Sequence, residues 1–441
     1  MKLSQQDLLN LAEQVLDTAK AQGATSASIN LNSGEGLSVD VRKGAIETLE
    51  YHRDQGMGLT VFFGQRKGNA STADLSKQAI NDTVAAACRI ARYTAEDEFS
   101  GLADADLMAT EFIDLDLYHP WDITAEEAID IAVECEAAGL AYSPKIDNSE
   151  GAGINTYKGV SIYANSHGFV GVSKGSRHGL SASFIAKDND MMQRDHWYTS
   201  SRLSDQLEAA KVVGEKAAQR AVKRLNPRKI ETTKSPILFS SDVAKSLISN
   251  YTSAISGSSL YHKASFLLDS LDTQVFPDFL RLHEQPFLPQ ASGSACFDNE
   301  GVALKNKDLV TDGVVKSYLL GSYSARKLGM KTTANAGGTF NLSLETTGES
   351  LNELLAKMGT GLLVTELIGS SVSIMTGDYS RGASGFWVEN GEVQFPVEEV
   401  TIASNLKDIF KGIVAIGDDI DYRGNTRTGS ILIDEMTIAG K

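Results

Sequence analysis

Residues 377–393 have the sequence GDYSRGASGFWVENGEV, in which the pair Asn390-Gly391 follows a short apolar run. Asn-Gly is the preferred pair for a type I′ turn, because both central residues of that turn have positive φ. The stretch therefore predicts two antiparallel strands, over 385–389 and 393–397. The glycines from Gly377 to Gly385 predict a loop of high backbone freedom before the first strand.

This loop is the candidate substrate-binding element. Its backbone N–H groups and a guanidinium group are suited to a peptide carboxylate or carbonyl. A tight structural corner explains the same residues, so both interpretations stay open. The candidate binding residues are Gly377, Asp378, Tyr379, Ser380, Arg381 and Gly382.

The rest of the C-terminal half also predicts a sheet-rich domain. Short apolar runs bounded by turn residues predict strands over 237–239, 314–320, 362–367 and 372–376. Helical spacing of apolar residues predicts helices over 242–255, 350–358 and 406–409.

The N-terminal half alternates helical and strand-like segments. Helices are predicted over 4–22 with Ser4 as cap, 75–93 with Asp74 as cap, 124–141 from a Thr124/Glu127 capping box, and 204–225. Short strands are predicted over 27–32, 36–41, 46–51, 58–63, 154–157, 160–165, 170–174 and 180–187.

Residues 226–236 are polar, contain two prolines and lack periodicity, which is typical of a linker. At 441 residues the chain is also too long for one compact core. We therefore predict an α+β protein with two domains. Residues 1–228 form an N-terminal α/β domain with a mixed sheet and long helices, and residues 229–441 form a domain dominated by antiparallel β-sheet.

Composition excludes several classes of function. The formal net charge of −16 disfavours binding to nucleic acid, whose affinity for proteins depends on clustered basic residues. The N-terminus has no signal-peptide pattern and no apolar run is long enough to cross a membrane, so we expect a cytoplasmic protein without membrane contact. Cys88, Cys135 and Cys296 are far apart in sequence, which predicts buried thiols in a reducing compartment.

Motifs for self-sufficient catalysis are weak. Gly171 to Gly175 matches the GxSxG pattern around Ser173, but the following residues alternate like a strand, whereas a nucleophile elbow needs a helix there. A chance match is the better interpretation. None of the seven histidines is paired with another at the spacing that holds zinc on a helix, and no HExxH motif occurs.

Four longer segments carry a family resemblance: SYSARKLGMKTTANAGG (322–338), MGTGLLVTELIG (358–369), residues 376–410, and GDDIDYRGNTRTGSILIDEMTIAGK (417–441). They resemble the PmbA, or TldE, branch of the TldD/PmbA family, over the whole chain and more weakly in its N-terminal half. The resemblance implies a heterodimer with a TldD chain. That pair is a cytosolic metallopeptidase that cuts unfolded or unstructured peptides, including peptide-antibiotic (microcin) precursors and an antitoxin.

In the TldD branch, zinc is held by a HExxxH motif on a helix and a cysteine near the C-terminus. The resemblance places His262 on the first ligand position of this chain, but Lys263 replaces the general base and Leu267 the second histidine. Thr428 stands where the cysteine is expected. One imidazole beside an ammonium group is a poor zinc site. We therefore expect no catalytic residue and no metal in this chain, zinc in the partner subunit, and a packing role for His262.

The leading hypothesis is a metal-less partner subunit of a TldD/TldE-type zinc metallopeptidase. Its expected partners are a TldD-type chain and an unstructured peptide, and a homodimer of the isolated chain is left open. The alternatives are a peptide-binding or chaperone-like protein without a proteolytic role, and an independent hydrolase that uses Ser173 or an unrecognised metal site.

Overall fold

The computed structural model describes residues 4–440; the outer limits predicted for the two domains, residues 1 and 441, lie outside them. The N-terminal elements are α1 (Gln5–Ala21), β1 (Ser26–Arg42), β2 (Ala45–Phe63), β3 (Arg66–Thr72), α2 (Lys77–Tyr93), α3 (Ala125–Ala141), β4 (Ile146–Asn165), β5 (Val170–Asp188), β6 (Met191–Ser201) and α4 (Ala210–Lys223). The C-terminal elements are β7 (Thr233–Phe239), α5 (Ser241–Ala254), α6 (Gly257–Tyr261), β8 (Leu282–Glu284), β9 (Lys307–Thr311), β10 (Val314–Val315), α7 (Ser322–Lys327), β11 (Leu342–Leu344), α8 (Leu351–Met358), β12 (Gly361–Ile368), β13 (Asp378–Glu389), β14 (Glu392–Asn405), α9 (Leu406–Lys411), β15 (Ile413–Ile416), β16 (Thr426–Arg427) and β17 (Ile431–Ala439).

The N-terminal sheet has the strand order β3-β2-β1-β4-β5-β6. All of its pairings are antiparallel, so the predicted α+β class is confirmed but the detail of a mixed N-terminal sheet is wrong. Parallel pairs occur instead in the C-terminal half, between β7 and β12 and between β11 and β16.

The N-terminal strands are much longer than predicted. In β1, Ile29 packs in the core under α1 and α2, and Val39 packs in a second core under α3 and α4. Gly34 lies between these two halves without a break in the strand, and a Cβ atom there would lie 2.2 Å from the Tyr157 hydroxyl oxygen. The prediction of separate short strands was wrong because this glycine makes room for a side chain on β4 rather than a turn.

Helix boundaries follow the capping residues. The capping boxes of Ser4 with Asp7 and of Thr124 with Glu127 begin α1 and α3, as predicted for the caps Ser4 and Thr124. The cap of α2 is Ser76, not Asp74, whose carboxylate instead accepts hydrogen bonds from Ser76. No helix within residues 4–440 is long and apolar enough to span a bilayer.

Three predicted segments change type or length, and one strand was missed. Helix α4 begins at Ala210 rather than at residue 204, since residues 204–206 form a single 3₁₀ turn. Strand β6 was not predicted. Residues 316–320 are not a strand. In the segment predicted as a strand over 372–376, Val372 makes a single bridge to Tyr379 and residues 374–376 form a turn.

Five strands of the C-terminal half close into a ring. Their order is β14-β13-β12-β7-β17, and β17 pairs back onto β14 at Thr401↔Ala439. Closure leaves these strands fewer free edges that could pair with another chain. Phe239, Val364 and Ile433 contribute to the largest core, which also buries Tyr251 of α5. The predicted hairpin is confirmed, with Asn390 at φ 53° and Gly391 at φ 78°.

The two halves are packed together. Residues 103–109 pack against the C-terminal half, where Met108 forms an antiparallel bridge with Val302. A shared apolar cluster there includes Tyr163, Phe169 and Leu304. A polar contact, Gln193 Nε2 donating to Glu398 Oε2 at 2.6 Å, joins β6 to β14. The boundary predicted at residues 228/229 falls between α4 and β7 and stays a prediction.

Candidate functional site

A cavity of about 1070 Å³ lies where the two halves meet; we call it the junction cavity. Its walls are β6 and α4 from the N-terminal half, and α5, β12, β13 and residues 423–426 from the C-terminal half. A cavity at such a junction is the usual place for a ligand site.

Helix α5 presents one polar face to the junction cavity. Asp242, Lys245, Ser246, Ser249 and Asn250 recur at helical spacing and line it. The opposite face is buried in the C-terminal core through Ala244, Leu247, Ile248 and Tyr251. Because the apolar face is fixed by packing, the polar face is held in a defined orientation over the cavity.

Ion pairs connect this face to the N-terminal half. Arg220 of α4 donates to Asp195 at 3.1 Å and to Asp242 at 3.2 Å. Arg224 pairs with Asp195 at 3.5 Å and with Glu366 of β12. The Arg220–Asp242 and Arg224–Glu366 pairs cross the junction, so ion pairs join the cavity walls of the two halves.

A second ionic cluster joins α5 to residues 421–423. The Asp421 carboxylate accepts hydrogen bonds from Arg423 at 2.8 and 3.0 Å and pairs with Lys245 at 3.4 Å. The Arg423 guanidinium also lies over the rings of Trp197 and Tyr198, 4.3 and 4.4 Å from their centroids. Burial opposes ionisation of Asp421, but the hydrogen bonds from Arg423 outweigh it and lower the pKa of this carboxyl.

The metal positions taken from the family resemblance do not come together as a helical motif. Helix α6 ends at Tyr261, and His262 is exposed, with its ring tilted against that of Tyr261 and Nδ1 3.0 Å from the Ser258 carbonyl oxygen. His262 thus contacts Tyr261 at the surface and not in the core, and its packing role stays a prediction. Lys263 has positive φ, which stops the helix.

The other two positions are buried. Leu267 lies in the C-terminal core, 4% exposed. Thr428 is also buried, and its hydroxyl donates to the Gly429 carbonyl oxygen at 2.9 Å. A HExxxH motif needs a helix, and residues 262–267 do not form one, whereas α5 is a helix of 14 residues that faces the junction cavity. The placement of the family's zinc motif at residues 262–267 stays a prediction, although these residues lack the helix that the motif needs.

The residues at the junction cavity do not fit a zinc ion. Helix α5 has neither histidine nor cysteine, and its carboxylate, Asp242, is engaged by Arg220. His196 of β6 lines the cavity, but its side chain is 66% exposed and its neighbour Asp195 is already paired with arginines. Throughout residues 4–440, no three His, Cys, Asp or Glu side chains are close enough to hold a metal ion. The charged groups around α5 favour an anion rather than a cation.

The predicted substrate-binding loop is part of a strand. Only Gly377, at φ 82°, precedes β13; Asp378, Ser380 and Gly382 pair with β14 as regular strand residues. The prediction of a free loop was wrong because glycines here allow close strand packing, as at Gly385, where a Cβ atom would lie 1.9 Å from the Leu363 carbonyl oxygen.

Side chains on the two faces of β13 have different surroundings. Asp378 and Ser380 are exposed, and Tyr379 is 1% exposed, with burial raising the pKa of its phenol to about 12. Arg381 alone of the six predicted residues lines the junction cavity. The prediction thus identified one cavity residue, and it missed the polar face of α5.

Two other sequence predictions are decided by the structure. Ser173 lies within β5, paired with Ser161 of β4, so the strand-to-helix turn of a nucleophile elbow does not occur there. Cys88 and Cys135 are buried free thiols, as predicted, and burial raises the pKa of Cys135 to about 12. Cys296 is partly exposed, so the prediction of burial was wrong for it.

Two solved structures have the same architecture as this chain. A chain from Bacteroides thetaiotaomicron, described as a proposed modulator of DNA gyrase, superimposes with a TM-score of 0.94 at 28% identity, covering 100% of both chains. TldE from Thermococcus kodakarensis gives a TM-score of 0.82 at 17% identity over 97% of this chain and 99% of that one. The second likeness shows the shared fold alone.

Sequence comparisons identify the family. Models of the PmbA/TldA metallopeptidase match in order: domain 1 at residues 27–91, the central domain at 118–225 and the C-terminal domain at 232–440. The chain is 47% identical to the metalloprotease PmbA homolog of Haemophilus influenzae, over 100% of this chain and 98% of the relative. It is 45% identical to the metalloprotease PmbA of Escherichia coli O157:H7, over 98% and 100%. The chain belongs to the PmbA/TldD metallopeptidase family.

Proposed function

We propose that this chain is the metal-less partner subunit of a TldD/TldE-type zinc metallopeptidase that cleaves unfolded or unstructured peptides in the cytoplasm. The observation that carries the proposal is the chemistry of α5. This helix faces the junction cavity as a catalytic helix would, yet it presents Asp242, Lys245 and Ser246 instead of zinc ligands.

The charges around α5 support the absence of a resident metal. Lys245 is held close to the cavity by Asp421, and Arg220 neutralises Asp242. A divalent cation placed here would meet an ammonium and several guanidinium groups, which repel it. The zinc that the reaction requires therefore belongs to a TldD-type chain.

This chain would contribute substrate binding. The junction cavity is large enough for several residues of an extended peptide and is lined by hydrogen-bond donors from α5 and β13. A peptide without stable structure can enter such a cavity because its backbone groups are free to bond with the walls. Free, buried thiols at Cys88 and Cys135 are compatible with a reducing cytoplasm.

The test is reconstitution with a TldD-type chain. The two chains are purified separately and mixed, and cleavage of an unstructured peptide is followed for each chain and for the mixture. We expect cleavage by the mixture and none by this chain alone. A mixture no more active than the TldD-type chain alone would leave a binding or chaperone-like role without proteolysis.

Two variants test whether the isolated chain has a metal site of its own. His262→Ala removes the possible ligand that the family resemblance indicates, and Asp242→Asn removes the carboxylate of α5 that faces the junction cavity. Neither change is expected to alter the zinc content of the isolated chain. Stoichiometric zinc that either substitution abolishes would establish the independent-hydrolase alternative.

A further inference from the structure

The junction cavity contains hydrogen-bond donors without acceptors. Ser246 Oγ, Asn250 Nδ2 and Arg381 Nε are buried and have no hydrogen-bond partner within residues 4–440. All three residues line the cavity. Buried polar groups are nearly always paired in folded proteins, so a cluster of unpaired donors in one cavity indicates a ligand that supplies acceptors.

These donors come from two rigid elements. Ser246 and Asn250 are one turn apart on α5, so their side chains lie on the same face of the helix. Arg381 projects from β13 of the closed ring. The apolar face of α5 and the pairing of β13 on both sides fix the positions of the donors before any ligand binds.

One positively charged side chain of the junction cavity has no carboxylate partner among the described residues. The six basic residues that line the cavity are Arg194, Arg220, Arg224, Lys245, Arg381 and Arg423. Five of them pair with carboxylates. Arg381 makes no ion pair within the described part of the chain, although the protein as a whole carries a charge of −16. A partly buried guanidinium whose buried Nε has no acceptor is best stabilised by an anionic ligand.

We propose that Arg381, Asn250 and Ser246 form a binding site for a carboxylate of the peptide substrate. A guanidinium matches the two oxygens of a carboxylate, and the amide and hydroxyl groups supply further donors. The carboxylates of Asp242 and Glu366 at the same cavity would repel a doubly charged phosphate more strongly than a singly charged carboxylate. The proposal rests on the proposed function, because a peptide is the ligand that this function requires.

The test measures peptide binding to the isolated full-length chain by fluorescence anisotropy. One pair of short unstructured peptides differs only in a free or amidated C-terminus. A second, amidated pair differs only in an internal Glu or Gln. We expect at least one acidic peptide to bind about tenfold or more tightly than its neutral counterpart, as for a charge-assisted hydrogen bond. The pair that discriminates identifies the α-carboxylate or an acidic side chain as the source.

Three variants make the test specific. Arg381→Gln should abolish the preference for the acidic peptide. Asn250→Asp keeps the shape of the side chain but adds a negative charge, so it should also abolish the preference and tests the site if Arg381→Gln does not fold. Arg53→Gln is the matched control, because it removes the same charge from a side chain that is 79% exposed on β2, and it should retain the preference.

Equal binding of acidic and neutral peptides by the unaltered chain would overturn the proposal. So would a preference that survives in folded Arg381→Gln or Asn250→Asp. Binding by the isolated chain is measured without the TldD-type partner, so failure here is distinct from failure of the reconstituted cleavage assay.

Discussion

The Asp421 side chain is 4% exposed and lies between two basic groups, Arg423 and Lys245. Its pKa is lowered in the folded protein, so the folded chain binds a proton at this site more weakly than the unfolded chain does. The stabilisation is therefore complete above the unfolded pKa and is lost as the pH falls through the lower folded pKa.

Asp421→Asn should destabilise the protein at pH 7 by about 2–3 kcal/mol, since it leaves the partly buried Arg423 without its carboxylate. The difference from the unaltered protein should shrink as the pH falls below the ordinary pKa of an aspartate. Urea unfolding at several pH values measures it. A difference that stays constant down to strongly acidic pH would contradict the assignment.

Ser173 is exposed within a regular strand and has no role in the proposed site. Ser173→Ala should therefore leave peptide cleavage by the reconstituted pair unchanged. The initial rate of cleavage at saturating partner is the measurement. Loss of cleavage by a folded Ser173→Ala protein would restore the serine-hydrolase interpretation.

At the scale of elements, α3 and α4 pack unusually closely. A Cβ atom on Gly214 of α4 would lie 2.0 Å from the Cys135 carbonyl oxygen, and one on Gly139 of α3 would lie 2.1 Å from the Phe184 ring. These contacts involve backbone and a fully buried ring, so the helices must separate if either glycine gains a side chain.

Gly214→Ala should consequently lower stability by about 1–3 kcal/mol, even though alanine is the better helix former. Gly58→Ala is the control, because nothing lies within 4 Å of its added Cβ atom. Thermal unfolding of both variants gives the comparison. A Gly214→Ala protein as stable as the control would mean that the two helices are less tightly packed than described.

Element types were more predictable from the sequence than element lengths. The cap at Ser4, the capping box at Thr124 and the turn at Asn390 are local signals, in which neighbouring residues satisfy one another, and all three predictions were confirmed. Strand continuity through Gly34 depends on Tyr157 of another strand, which no local pattern reveals. The polar residues of α5 recur at helical spacing in the sequence, but the sequence does not show that this face lines a cavity formed with the N-terminal half.

Non-covalent contacts, in addition to the linker, hold the two halves of the molecule together. The apolar cluster around Tyr163 and Leu304 and the Arg224–Glu366 ion pair cross between the halves. Arg228 N also donates to the Pro396 carbonyl oxygen at 2.8 Å, which ties the linker to β14. The junction cavity exists only while these contacts persist.

A chain cut in the linker should therefore remain assembled. A protease site inserted after Lys229 would yield fragments close to the two predicted domains, 1–228 and 229–441. We expect both fragments to elute together in size-exclusion chromatography. Separation of the fragments into two peaks under native conditions would show that the junction is weaker than its contacts indicate.

Zinc content of the isolated chain tests the central claim most directly. The purified protein is equilibrated with zinc, freed of unbound metal by gel filtration, and analysed by mass spectrometry of the elements. We predict far less than one zinc per chain, because α5 faces the junction cavity with a lysine, a serine and a paired aspartate. One tightly held zinc per chain, lost when residues of this cavity are substituted, would contradict the account.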